Sequence, residues 1–391
     1  MSKRPDPNLI ILPVVITLLG LIFIYSASGD KFLIKQLIWF GIASTIFFLI
    51  SRTSPRFLME ITFPFYIITV ILLLLTLFLA TRIPRRWISL GLFSFQPSEL
   101  AKVATILMIS RYLSQRRRKS IIEVGIVFLI AILPAILVFM EPNLGSSIAF
   151  LVFPFAILLG DGMPLFLVFL ILSPILSIVL SFSILVWAPY IIILTFFLIR
   201  RREPITLLTT LTANSIVGLF TPLLWHGLKE YQRQRIIGFL APWLDPKGIG
   251  WQTIQSRIAF GSGQFFGKGL LAGTQKKLSF LPAPHTDFII SVIGEELGFL
   301  GVLFAVSLLF ILSLRILKLA RETKNRFSAL ASIGIFSLIT YHWFVNIGVA
   351  IGILPVTGMP LPFISYGGSS LLSFFLGMGI LVAISRFRFE H

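Results

Sequence analysis

Apolar residues fall along this chain in blocks close to the length of a bilayer crossing. A membrane-spanning helix needs about 20 mainly apolar residues. Runs of that order, or somewhat shorter, occupy 8–27, 32–51, 61–80, 98–113, 121–140, 145–160, 164–182, 184–200, 204–223, 287–317, 327–353 and 363–385. The runs 98–113 and 145–160 are short, and 164–200 can be divided in more than one way, so the pattern predicts about 10–12 membrane helices. The expected fold is an all-α, polytopic transmembrane helical bundle, a single domain over 1–391.

Two stretches break the pattern. Glu141-Pro142-Asn143-Leu144-Gly145 interrupts two apolar runs. It reads either as a tight turn or as a broken helix lining a polar cavity. The span 224–286 is the one long stretch without a membrane-length run. It carries tryptophans, glycines and an amphipathic segment around Trp251–Phe260, so it reads as one large, ordered extracellular loop.

Composition agrees with the pattern. Hydrophobic residues make up 57% of the chain and charged residues 12%, with a mean hydropathy of +0.97; a soluble domain of this size needs more charge to cover its surface. Cysteine is absent, which excludes disulfides and thiolate metal sites, and four histidines leave little for a histidine-rich metal centre. The net charge of +18 falls in short clusters between apolar runs, among them Lys3-Arg4, Arg52 with Arg56, Arg116 to Lys119, Arg200 to Arg202 and Arg315 to Arg326. That is the pattern of cytoplasmic loops, and no nucleic-acid partner is expected. With the N-terminus inside, these clusters and the C-terminus all fall inside. The one conflict is Arg82, Arg85 and Arg86, placed outside, which suggests a use such as meeting a phosphate. The N-terminal run resembles a signal peptide but is long and followed at once by another, so it reads as an uncleaved first membrane helix.

Few acids are placed to do chemistry. Asp287 stands at the outer mouth of a predicted helix, either as its N-terminal cap or as a general base where the wall excludes bulk water. Glu295 and Glu296 lie about two turns deeper, flanked by Gly294 and Gly298; intramembrane carboxylates are costly and imply function or a buried partner. Glu99 and Lys102 are three apart on one helical face, an ion pair or part of a site. Arg86 and Trp87 join a cation to an interfacial ring, a landing site for a pyrophosphate or an ordinary anchor. Gly261 to Gly269 superficially resembles a nucleotide loop, but no strand precedes it and Gly269 follows Lys268 where Ser or Thr is required. A turning loop with one cation, Lys268, remains.

Several stretches together resemble the SEDS family (shape, elongation, division and sporulation). They are Arg86-Trp87 with Gln96 to Lys102, Glu141 to Gly145, Tyr231 to Arg235, Gln255-Ser256 with Gly261 to Gly263, and Gly273 to Gln275. Leu281 to Phe288, Gly294 to Gly298, Asn346 to Gly348 and Pro360 to Ser370 complete the set, in family order over most of the chain. Gly273-Thr274-Gln275 and Leu354 to Gly358 look more like the elongation members than the division members. Two departures stand out: the family's Pro-Asp-Leu-Gly motif has Asn143, and 163–226 holds about three apolar runs where many members have one.

The resemblance implies a peptidoglycan glycosyltransferase of the bacterial cytoplasmic membrane, acting on lipid II at the outer face with both termini inside. The family's catalytic acid maps onto Asp287 in His285-Thr286-Asp287-Phe288. The leaving undecaprenyl pyrophosphate needs cationic stabilisation, from Arg86, Lys102, Arg233, Lys268 or a divalent cation (Mg or Mn); Trp87 and Glu99 join them as expected substrate-binding residues. No cluster in the sequence specifies a metal site. A class B penicillin-binding protein and other elongation-complex proteins are the implied partners. The alternative is a lipid II flippase, which Glu295 and Glu296 would suit.

Overall fold

The computed structural model describes residues 5–79, 86–90, 93–116, 121–201, 204–227, 233, 251–273 and 284–389. Each of the twelve apolar runs corresponds to a helix. In chain order these are α1 (Asn8–Ser28), α2 (Asp30–Ser51), α3 (Pro55–Leu79), α4 (Pro97–Ser114), α5 (Ile121–Met140), α6 (Leu144–Gly160), α7 (Leu165–Leu180), α8 (Ile184–Arg201) and α9 (Pro204–Gly227). After α10 (Trp251–Gly263), which is the amphipathic segment of the long span, come α11 (Ile289–Glu322), α12 (Arg326–Ala350) and α13 (Gly368–Arg386). A two-stranded antiparallel ribbon, β1 (Ile88–Leu90) with β2 (Phe93–Phe95), precedes α4. Among the described residues, eight helices are long and apolar enough to cross a membrane, and three more are apolar but shorter. Most of 228–250 and all of 274–283 lie outside the described residues, and with them much of the expected loop.

The chain forms two compact units, Met1–Asp161 with Ala241–His391, and Gly162–Leu240. In the first, α13 is the central helix, packed against α2 along its length and against α1, α4 and α12. Small residues permit that approach: a Cβ at Gly368 would lie 2.1 Å from the Trp39 ring. Asn143 and Asn325 cap α6 and α12 by accepting from Ser146 N and Ser328 N, the ordinary work of Asn at a helix start.

The unit is inside-out relative to a soluble protein. Ile11, Ile22, Phe63, Leu129, Phe139 and Phe310 are exposed, while Glu99, Lys102, Glu141, Glu295, Glu296 and His342 are buried. Apolar side chains facing outward suit a lipid solvent, and buried polar groups must then find partners within the bundle.

Basic residues from several of the clusters assigned to one side of the membrane meet at one end of this unit. Arg386 donates to Ser51 O, Lys324 N to Arg388 O, and Arg326 grips Asp161 with two bonds of 2.9 and 2.8 Å. The opposite end gathers the start of α13, the end of α1, the 141–143 turn and the segment before α11.

Helix α11 is broken at Gly298, whose φ of 67° lies in the left-handed region that glycine adopts without steric cost. The backbone groups freed by the break are taken up by the loop after α10. Lys268 N and Gly269 N donate to Glu295 O and Glu296 O, and Phe299 N and Leu300 N donate to Gln264 O and Phe265 O. Non-helical backbone at membrane depth is thereby satisfied by protein.

The second unit is a three-helix assembly of α7, α8 and α9, the three apolar runs of 163–226. Leu170, Leu194 and Leu198 form its apolar contact. Asn214, fully buried, donates to Ser173 Oγ at 2.7 Å and to Thr210 O, and Tyr190 donates to Asn214 Oδ1. Such interhelical hydrogen bonds hold helices together where both faces are apolar.

Candidate active site

Residues 284–288 form a turn leading into α11. The helix is capped at Phe288 with no side-chain hydrogen bond, so the Asp287 carboxylate is not occupied as an N-cap. The turn is fixed by its main chain instead. Asn346 Nδ2 bridges Asp287 O (2.9 Å) and Met359 O (2.8 Å). Ser365 Oγ donates to Thr286 O at 2.6 Å while accepting from Leu361 N, and Tyr366 N donates to His285 O. On the side facing α1 and α2, Ser28 Oγ meets His285 Nδ1 at 2.7 Å, and the Phe32 ring lies 4.2 Å from the imidazole. The carboxylate therefore projects from a backbone held by α1, α12 and the 357–366 segment. A Cβ at Gly358 would stand 3.9 Å from Asp287 Oδ2, and Gly358 itself has φ +73°.

Asp287 is half-buried. Burial pushes its carboxyl up to about 6, against the pull of the Thr286 hydroxyl and the Arg86 charge. Arg86 is anchored by Nε to Glu141 O at 3.0 Å and by a terminal nitrogen to Pro142 O. That joins the strand approach to the α5–α6 turn and sets a cation beside Asp287. Trp87 next to it is 37% exposed.

The other expected site residues have partners of their own. Lys102 is 0% exposed; its Nζ lies 2.7 Å from Glu99 Oε1 and 2.9 Å from His342 Nε2. An ammonium only donates, so His342 accepts at Nε2 and carries its proton on Nδ1, toward Pro360 O. This network lies one layer beneath the Asp287 turn, since His342 and Asn346 share α12. Lys268 pairs with Glu295 at 2.9 Å and is 30% exposed on its side chain. Glu296 accepts from Ser26 Oγ at 2.6 Å, so both intramembrane glutamates have partners within the bundle. Arg233 belongs to the second unit, where its Nε donates to Trp225 O.

Sequence reasoning missed His342, Asn346 and Glu141 as parts of the site. The spacing of His342 and Asn346, four apart and hence on one helical face, was the available signal for the first two. For the divalent cation, no group of three or more His, Asp or Glu side chains among the described residues comes together to hold a metal. Among the described residues that site is not built by side chains alone, and no step below is routed through a metal.

Comparison with known proteins places this arrangement. The family model described as "Cell cycle protein", covering FtsW, RodA and SpoVE, matches residues 7–390. The chain is 34% identical over 390 residues to the peptidoglycan glycosyltransferase MrdB of Escherichia coli K12, covering 98% of this chain and 94% of that one. It is 32% identical to the stage V sporulation protein E of Bacillus subtilis, covering 99% and 98%. Among solved structures, it matches a chain of a peptidoglycan synthase complex that coordinates polymerization and crosslinking, at 27% identity, 99% coverage of both chains and a TM-score of 0.74. It also matches the rod shape determining protein RodA of Thermus thermophilus, at 26% identity, 99% and 98% coverage and a TM-score of 0.67. With the family model spanning almost its whole length, this chain belongs to the FtsW/RodA/SpoVE family of cell cycle proteins.

Proposed function

We propose that this chain is a peptidoglycan glycosyltransferase that polymerises lipid II into glycan strands during cell elongation. The observation that carries the reading is the Asp287 turn, a half-buried carboxylate on a rigid backbone with the Arg86 cation beside it. Asp287 takes the proton of the 4-hydroxyl on the acceptor's N-acetylglucosamine as that oxygen attacks C1 of the donor's muramyl sugar. The C1–O bond to undecaprenyl pyrophosphate breaks on the opposite face, the leaving group takes the electron pair, and the anomeric centre inverts. A positioned general base contributes about 10²–10⁴ in rate. With its proton leaving near pH 6, Asp287 is about nine-tenths ionised at pH 7 and a stronger base than an exposed Asp. Arg86 faces the charge that develops on the pyrophosphate, with Trp87 as an apolar neighbour for the lipid.

The basic end of the first unit supports an orientation with that end in the cytoplasm, as the positive-inside rule favours. In this reading the termini lie inside and Asp287 at the outer face of the bacterial cytoplasmic membrane. A class B penicillin-binding protein is the partner that would crosslink the strands, alongside other elongation-complex proteins; the match to a synthase complex supports it. Labelled lipid II incubated with the purified protein, with and without that partner, tests the reading. Glycan strands are expected from the wild type and none from Asp287→Ala. Strands from the variant would remove Asp287 from the chemistry. A wild type that makes none, yet carries lipid II across vesicle membranes, would make the protein a transporter.

A further inference from the structure

Glu141 lies in the turn between α5 and α6, and its position is unusual for a carboxylate. It is 0% exposed, and neither of its side-chain oxygens has a hydrogen-bond partner among the described residues. An ionised carboxylate so placed is strongly disfavoured, while the neutral acid is tolerated. Burial raises its acid to about 8, and the Arg86 charge draws it only part of the way back. Arg86 is bonded to the main chain of this same turn, at Glu141 O and Pro142 O, and its charge also acts on the Asp287 carboxyl. The charge of one guanidinium therefore acts on two carboxyl groups. Near pH 7 Asp287 is mostly ionised and Glu141 mostly protonated.

The other titratable groups on the elements packed around this turn are engaged elsewhere. Glu99 and Lys102 of α4 close on His342 of α12. Tyr341 of α12 donates to Gly145 O and Tyr66 of α3 to Ile130 O. Arg326 pairs with Asp161, and Arg111 donates to Glu60 O, at the basic end. Arg56, Tyr112 and Glu123 also belong to that end. Among the described residues, Arg86 is the charge acting on Glu141.

We propose that Glu141 is a positioning residue that must keep its proton for Arg86 to hold the substrate's pyrophosphate. Ionised, it would draw the guanidinium onto itself and away from both Asp287 and the incoming anion. This rests on the glycosyltransferase reading only for the identity of the anion; the linkage between Glu141 and Arg86 is a property of the turn.

The test is calorimetric binding of inorganic pyrophosphate to the full-length protein in detergent at pH 7 and pH 9, for wild type and Glu141→Gln. Gln is neutral at both pH values and close to the acid in shape. Only the protonated fraction of wild type binds well, and at pH 9 that fraction is about one-tenth, so its affinity falls about tenfold relative to the Gln variant. The titration of pyrophosphate itself is common to both and cancels in the comparison. Parallel pH dependence in the two proteins, or no binding by wild type at pH 7, overturns the proposal. If the Gln variant does not fold, the infrared carbonyl band of a protonated carboxyl decides on wild type alone: its loss between pH 7 and 9 is required, and its absence at pH 7 overturns the proposal. In polymerisation assays, Glu141→Gln should abolish the fall in rate above pH 8 while leaving the acid limb near pH 6 in place. A variant whose rate drops by one factor at every pH has lost only structure, and that too overturns the proposal. Binding with the expected pH dependence in a protein that makes no glycan would instead sink the polymerase reading and leave Glu141's role standing.

Discussion

Replacing Asp287 with Asn should make the protein more stable while abolishing its activity. The carboxyl is raised from 3.8 to about 6 on folding, so the unfolded chain gives up the proton more readily than the folded one. A carboxyl held above its unfolded value costs nothing when the pH lies below that value. Its cost grows as pH rises and is complete above the folded value. Each tenfold change in proton affinity corresponds to about 1.36 kcal/mol. The ionised group therefore destabilises the fold by about 3 kcal/mol at pH 7 and about half of that at pH 5. Asn is neutral throughout and close in shape, and the Asn346 bonds go to the main chain of the turn, which the substitution spares. Thermal unfolding of the purified protein at pH 7, 5 and 4 measures the gain, which should shrink steadily as pH falls. Polymerisation of labelled lipid II should drop by about 10²–10⁴ in the variant, and in wild type should fall about tenfold between pH 7 and pH 5 as the base is protonated. A variant that is less stable than wild type at pH 7, or whose stability change does not depend on pH, would refute the claim that burial of this carboxylate is what raises its acid.

Further consequences can be measured with the same preparations. Lys102→Met should cost about 3–5 kcal/mol, because it leaves Glu99 buried without its cation; adding Glu99→Gln should recover most of that loss, and a double variant no better than the single would show the pair is not coupled. Asn346→Leu strips a donor from Asp287 O and Met359 O and should cost about 1–3 kcal/mol for each carbonyl left unpaired, with loss of polymerisation; unfolding midpoints and rates read both. Gly298→Ala places a Cβ 2.4 Å from Gly267 N at a positive φ, and should yield little folded, monodisperse protein on size-exclusion chromatography.

Hydrophobic periodicity carried the architecture well, because a lipid environment demands long, apolar, internally bonded segments. The runs 98–113 and 145–160, short as they are, are α4 and α6, and the uncertain region 164–200 divides at 181–183 between α7 and α8. What periodicity could not supply were contacts between distant segments. The Glu99–Lys102 spacing was legible, but its third member, His342, lies 240 positions from Lys102. Asp287 could be read locally as a cap or a base; only the cap at Phe288 removes the first option. The break in α11 was invisible for a related reason. Gly294, Gly298 and Gly301 look alike in sequence, and only Gly298 meets the 264–269 loop with a left-handed backbone. Glu141 was noticed as part of a turn, but its sealed environment depends on α5, α6 and Arg86 coming together.

The junction between that loop and the broken helix has a consequence for how this part of the chain can vary. Four of its connecting bonds, 2.8–3.2 Å long, run from main chain to main chain, and Lys268 Nζ adds a side-chain bond to Glu295 Oε1. The side chain of Phe266 is 81% exposed, while the Phe265 ring, 65% exposed, meets Phe299 of the helix edge-on at 5.6 Å. The geometry of the joint thus depends little on what residue 266 is, and is restricted at Gln264, whose φ is 49°, and at Gly267 and Gly298, where each would place a Cβ against the other strand of backbone. Substitutions can accumulate at position 266 to suit whatever lipid or protein lies against it. The shape of the joint, and the register of the helix that begins just after Asp287, would be inherited unchanged.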